Sequence, residues 1–275
     1  MSTMYRVFDF IPSDIDVKYL VIGGSHLYGT SDPSSDTDYW GICNCLRPYI
    51  FTTGDENKPN SKDDIEILLY PEDEFIRRLE SGDMRAIDIL FSYTFPRNII
   101  VGDVDYIKQF IPYLNWSSNH VVSYVYDELK GYPIYKSTLW KIREVLDILA
   151  LYDINVPIWL VLDERVVPID TYTYRVGKQI RKGIQVLDKK IQDMRVGHAT
   201  AILRKMYFSR LRTDFKFKNM MHALRAIGEF MYYQTHGYVK FPLPGRFILR
   251  SIKQGFYPWY ELIDRVNVYL AGVLE

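Results

Sequence analysis

The chemistry legible in this chain sits on three acidic residues and a glycine-serine turn. Asp36 and Asp38 stand two apart in Ser35-Asp-Thr-Asp38. On extended backbone, residues two apart project to the same face, so both carboxylates converge. Two carboxylates that close resist joint ionisation unless a cation lies between them. Hard oxygen donors in that arrangement suit Mg2+ or Mn2+ bridging substrate phosphates. A pair of such ions clamps the attacking and leaving oxygens of phosphoryl or nucleotidyl transfer. Upstream, Gly23-Gly24-Ser25 closes an apolar run. Glycine admits a phosphate close to the backbone, where N–H groups and the serine hydroxyl would hold it. A third carboxylate is expected from a neighbouring strand. Glu66, the acid inside Ile65–Tyr70, fills that place, and Asp64, one pleat earlier on the same face, competes with it. The same residues also read plainly as an Asx turn and an outward strand position.

A second constellation lies far downstream. Lys218, His222 and Arg225 follow i, i+4, i+7 spacing, which places them within roughly 60° on one helical face. Met220, Leu224, Ile227 and Met231 fall on the opposite side and would anchor the helix. Lysine as a point charge, arginine as a two-pronged donor and histidine as donor or base contact could meet a triphosphate. A solvated basic face is the plain alternative.

The elements that must position these residues follow from periodicity. Residues 18–23 and 38–45 read as buried strands, 65–70 as a third strand, and 72–79 and 83–92 as helices. Residues 52–64 are polar and turn-rich. Beyond about residue 110, segments 117–130, 137–152, 174–208 and 217–235 carry helical apolar spacing, with a break expected near Gly197. Short helices are expected over 245–254 and 258–272. The pattern is an α/β part followed by a helical part.

Composition sets bounds. The chain has 275 residues, with 34 Lys+Arg against 34 Asp+Glu, so a globally basic nucleic-acid coat is excluded and any such contact must be local. Cys43 and Cys45 read as two small core residues on a strand, with neither a disulfide scaffold nor a zinc framework expected. The 23 tyrosines suit base stacking, and equally the rims of ordinary cores. No apolar run approaches membrane-spanning length and no signal-peptide core stands at the start. A soluble, cytoplasmic protein without membrane contact is the expectation.

Gly24-Ser25, a linker, then Ser35-Asp36-Thr37-Asp38 resembles the signature of the DNA polymerase β-like nucleotidyltransferase superfamily. The fuller string from Gly24 to Gly41 is similar to a predicted nucleotidyltransferase group associated with RNA repair, whose pattern is Gly-Ser-x-x-Tyr-Gly, a short linker, Ser-Asp-x-Asp, then glycine. That group also carries a Lys-x-x-x-His-x-x-Arg helix, matched by Lys218, His222 and Arg225, and followed here by Gly237, Pro242, Pro244 and Ile252-Lys-Gln-Gly255. The resemblance covers about residues 18–92 and 213–265 and leaves 93–212 unmatched. Relatives often have Asp where Glu66 stands, and His26 holds a position that is frequently basic in them.

The resemblance implies an α+β fold. A nucleotidyltransferase domain with a mixed sheet would occupy 1–110, and a helical domain over 111–275 would complete a nucleotide cleft. It implies that Asp36, Asp38 and Glu66 are catalytic and hold Mg2+ or Mn2+. Gly24, Ser25, Lys218, His222 and Arg225 would bind the NTP. The activity would be transfer of a nucleoside monophosphate from an NTP such as ATP to an acceptor hydroxyl, with release of pyrophosphate and an RNA 3′ end as the favoured acceptor. Two alternatives stay open: a non-catalytic nucleotide-binding or partner-binding module on the same fold, and a small-molecule nucleotidyltransferase of the antibiotic-modifying kind. The sequence does not fix the NTP, the acceptor or the oligomeric state.

Overall fold

The computed structural model describes residues 7–33, 35–53, 65–157, 161, 195–212 and 215–274. Asp64, most of the polar 52–64 stretch and residues 174–194 of the expected helical run lie outside these. The described strands are β1 (Asp16–Ile22), β2 (Thr37–Asn44), β3 (Tyr49–Thr52), β4 (Ile65–Pro71) and β5 (Ile99–Val101). They form a mixed α+β sheet in the order β3-β4-β2-β1-β5. Strands β2 and β4 run parallel, and the other neighbours are antiparallel.

Alternation sorts the sheet into two faces. Leu20, Tyr39, Cys43, Ile65, Ile67 and Leu69 form one buried cluster together with Val7. The opposite face of β2 and β4 carries Asp38, Trp40 and Ile42 directly beside Glu66, Leu68 and Tyr70. Leu68 and Tyr70 are themselves buried, so this face is covered except where the two acids stand. Helix α2 (Glu72–Glu80) packs against β2 and β4, and α3 (Met84–Phe91) packs on α2, started by Asp83, whose side chain accepts from the Ala86 N–H.

Further helices are α1 (Gly24–Tyr28), α4 (Val104–Lys108), α5 (Ser118–Glu128), α6 (Thr138–Leu149), α7 (Val196–Arg210), α8 (Phe217–His236), α9 (Arg246–Lys253) and α10 (Trp259–Leu274). The longest, α8, ends at Gly237, which takes the left-handed conformation that glycine adopts without strain. It packs against α5 and α9.

The chain gathers into two compact units. Unit one comprises Met1–Glu128, Lys216–Pro258 and Gly272–Glu275; unit two comprises Leu129–Phe215 and Trp259–Ala271. Unit two has its own core, where Ile142, Val145 and Leu149 meet Val196, Ala199 and Leu203. Residue 110 falls inside unit one, and α8 and α9 cluster with the sheet, because the chain leaves this unit after α5 and returns at α8. Strands β3 and β5 are findings the periodicity did not supply. One further correction concerns the cysteines. Cys43 and Cys45 are bonded to each other, their shared direction on alternate residues bringing the sulfurs together.

Candidate active site

All of the site elements described below belong to unit one. A cleft of 630 Å3 opens over the acid-bearing face of the sheet, lined by Asp36, Asp38 and Glu66 on one side and by Lys218 and His222 of α8 on the other. The parallel register puts Asp38 directly opposite Glu66, and Asp36 immediately precedes β2. The three side chains feel one another. Burial, then the Asp36 and Glu66 carboxylates, push the Asp38 carboxyl up to about 7, against the pull of Arg85 and Lys218. Glu66 also meets Arg85, whose Nη1 lies 3.3 Å from its Oε1.

Backbone geometry holds this end of the cleft. The Gly23 N–H donates to the Asp38 carbonyl at 2.8 Å, tying the end of β1 to the start of β2. Gly24 has φ +55°, and a Cβ added there would run into the Asp38 carboxylate. Gly24→Ala is therefore expected to displace Asp38, lowering stability by about 1–2 kcal/mol and any activity of the site at least tenfold. Gly228 in α8, where an added Cβ meets nothing within 4 Å, is the control. There Ala should stabilise by about 0.5–1 kcal/mol without touching activity. Thermal melts and initial rates on both variants check this.

Several polar atoms line the cleft without a hydrogen-bond partner among the described residues. They are Ser25 Oγ, Thr30 Oγ1, Trp40 Nε1, His222 Nδ1 and Arg225 Nε, all buried. Buried polar atoms are normally satisfied, and an unpaired one costs about 1–3 kcal/mol. Five of them line one cavity, and two of these, Trp40 Nε1 and Arg225 Nε, are donor-only groups that an acceptor atom of a polar ligand or a water would satisfy.

The residues on α8 have separate fates. Lys218 is exposed at the cleft. His222 is pushed down to about 3, chiefly by burial and then by Arg225, Lys218 and Lys253, so it stands there as a neutral imidazole. Arg225, expected to bind the NTP, lines the cleft but is buried and paired within the fold. It is 4% exposed, and its Nη1 reaches the Asp88 carboxylate at 3.0–3.2 Å and the Glu229 carboxylate at 3.0–3.1 Å. Its guanidinium lies 4.1 Å over the Tyr28 ring, and the Tyr28 hydroxyl donates to Asp88 at 2.6 Å. On the opposite face Met220 and Ile227 are buried as expected, and Met231, at 45% exposed, is not. Helix α8 is buried along much of its first half, where α5 and α9 pack against it.

His26 is lowered by burial and bonds the Asp36 backbone, so it supports the acidic loop. Sequence reasoning passed over Arg85, Asp88, Trp40 and Lys253. Asp88 had a signal: it is the lone acid in the apolar run Ala86-Ile-Asp-Ile-Leu-Phe91, the feature that singled out Glu66.

Among the described residues, no group of three or more His, Cys, Asp or Glu side chains stands in an arrangement that could hold a metal ion. Asp36, Asp38 and Glu66 instead offer an open set of carboxylate oxygens on a cleft wall. Carboxylate oxygens are the donor type that Mg2+ and Mn2+ take, alongside substrate phosphates and water. Among the described residues, no helix is long and apolar enough to cross a membrane.

No family model matches the chain. The chain is 28% identical over 140 residues to an uncharacterized 38.9 kDa protein in the nrdC-mobD intergenic region of Enterobacteria phage T4, a match covering 46% of this chain and 41% of the phage protein. The chain thus matches less than half the length of that relative.

Proposed function

We propose that this chain is a metal-dependent nucleotidyltransferase of the polymerase β-like kind, moving a nucleoside monophosphate from an NTP to an acceptor hydroxyl. The observation that carries the reading is the β2–β4 register. It sets Glu66 beside Asp38, with Asp36 adjoining, on a cleft that also holds Gly24, Ser25 and Lys218. In this reading Asp36, Asp38 and Glu66 would hold Mg2+ or Mn2+, which when bound polarises the α-phosphate and acidifies the acceptor hydroxyl. Ser25 and the Gly24 backbone hold phosphate oxygens, and Lys218 faces the triphosphate as a point charge. His222, neutral, offers an uncharged hydrogen bond to the nucleotide. The acceptor oxygen forms its bond to the α-phosphorus as the bond to pyrophosphate breaks, and the acceptor proton departs on the carboxylate side. Arg225 holds α8 against α1 and α3, and so sets where Lys218 and His222 stand.

Transfer of label from each α-32P NTP in Mg2+ to RNA 3′ ends, proteins and aminoglycosides tests the proposal. The expected result is labelled RNA with pyrophosphate release. Label on an aminoglycoside would move the chain to the small-molecule class, and NTP binding without transfer would make it a binding module. Lys218→Ala should raise KM for NTP about tenfold and leave kcat within about twofold, if the ammonium binds ground and transition states alike. Because the imidazole is neutral from pH 5.5 to 8, the His222→Asn effect on NTP affinity should be flat over that range, as titration calorimetry at several pH values would show.

A further inference from the structure

Among the described residues, Arg85 is the cation that forms an ion pair with the acidic set, and nothing in the sequence pattern assigns it a role. Its Nη1 approaches a single oxygen of Glu66 at 3.3 Å, with the two side chains 43% and 39% exposed. Its guanidinium also lies 5.2 Å from the centre of the Trp40 indole ring. Trp40 and Asp38 share a sheet face, next to Glu66, so one arginine spans the acid site and an aromatic platform beside it. The other arginines on this cleft are committed elsewhere. Arg78 is paired with Glu74 and Asp83, and Arg225 with Asp88 and Glu229.

The contact is one that can be exchanged. A single-pronged ion pair between exposed side chains contributes little, about 0–1 kcal/mol, so a divalent cation competes with it easily. The base of the side chain is fixed, since Asp83 caps the helix one residue before Met84 and its Oδ1 accepts from Ala86 at 2.9 Å. The indole face offers a resting place to a guanidinium that leaves its carboxylate. A planar fork released there faces the same cavity as Ser25 and Lys218, and its geometry suits two phosphate oxygens at once.

We infer that Arg85 occupies the cation position at Glu66 while the cleft is empty, and exchanges it for a phosphate of the incoming nucleotide when a divalent ion binds. Arg85 is thus a placeholder that offsets the carboxylate charge before loading and a phosphate ligand afterwards. This inference rests on the nucleotidyltransferase reading of the cleft.

Mn2+ binding to the full chain without nucleotide, followed by the loss of the free-ion paramagnetic resonance signal, separates the two. Arg85→Gln keeps the length and removes the charge. It should bind Mn2+ about 3- to 10-fold more tightly than wild type, because a nearby like charge is gone. With Mn2+ saturating, the same variant should bind a non-hydrolysable NTP analogue several-fold more weakly, with Arg85→Lys between the two. Equal or weaker Mn2+ binding by Arg85→Gln, in a wild type whose binding is lost in Asp38→Asn, overturns the placeholder role and leaves the nucleotidyltransferase reading standing. Mn2+ binding that is absent in wild type, or unaffected by Asp38→Asn, overturns both.

Discussion

Asp36→Asn and Asp38→Asn are each expected to lose at least about 10³-fold in nucleotidyl transfer, and Asp38→Asn to melt at a higher temperature than wild type. The first half follows from the proposed ion site, where one missing carboxylate removes several kcal/mol of transition-state stabilisation. The second half follows from what the site demands of the fold. The Asp38 carboxyl is pushed up from its ordinary value to about 7 by burial and by Asp36 and Glu66. Between about pH 4 and 7 the folded chain therefore keeps a proton there that the unfolded chain releases. The group's contribution to stability falls as pH rises through that window, and the penalty is complete above it. An asparagine is neutral throughout, so its advantage over wild type should be near zero at pH 4 and on the order of 4 kcal/mol at pH 8. Melting curves at the two pH values, beside initial rates in Mg2+, check both halves. A variant of unchanged turnover, or one less stable than wild type at pH 8, contradicts this account of Asp38.

Arg225→Ala is expected to destabilise unit one by about 3–5 kcal/mol, because removing one member of a buried ion pair strands its partners. Asp88 and Glu229 are each 1% exposed, and both depend on the same guanidinium. Burial pushes the Glu229 carboxyl up to about 8 even with the arginine present. The Tyr28 ring loses its cation in the same change. Adding Glu229→Gln to Arg225→Ala should recover part of the loss, since it removes one stranded carboxylate, and urea unfolding of the single and double variants measures the recovery. If instead Arg225→Ala unfolds within about 1 kcal/mol of wild type but loses NTP affinity, the residue is a direct phosphate ligand and not the clamp described above.

What was legible in the sequence is local. The apolar alternation through Ile65–Tyr70 assigned Glu66 to the face away from Ile65, Ile67 and Leu69, and the structure has it on that face, opposite Asp38. Helix ends near Gly237 and after Asp83 follow from glycine and capping chemistry. Depth was not legible. Spacing on α8 places Arg225 and Lys218 at similar angles, yet one is buried and the other exposed. The difference is set by Asp88, 137 positions away along the chain. Arg85 reaches Glu66 across the fold for the same reason, and no spacing rule connects them. Strands β3 and β5 have four and three residues, too few to establish a period. The return of the chain into unit one at α8 is likewise a tertiary event, which a composition shift near residue 110 does not reveal.

The central claim is that Asp36, Asp38 and Glu66 hold the ion that serves an NTP. An anomalous-scattering map from crystals grown with Mn2+ and a non-hydrolysable NTP analogue tests it most directly. The account predicts manganese within coordination distance of Asp38 and at least one of Asp36 and Glu66, with the triphosphate running from Ser25 toward Lys218. Manganese and nucleotide bound outside this cleft, or a triphosphate in the cleft with no ion on these carboxylates, would contradict it.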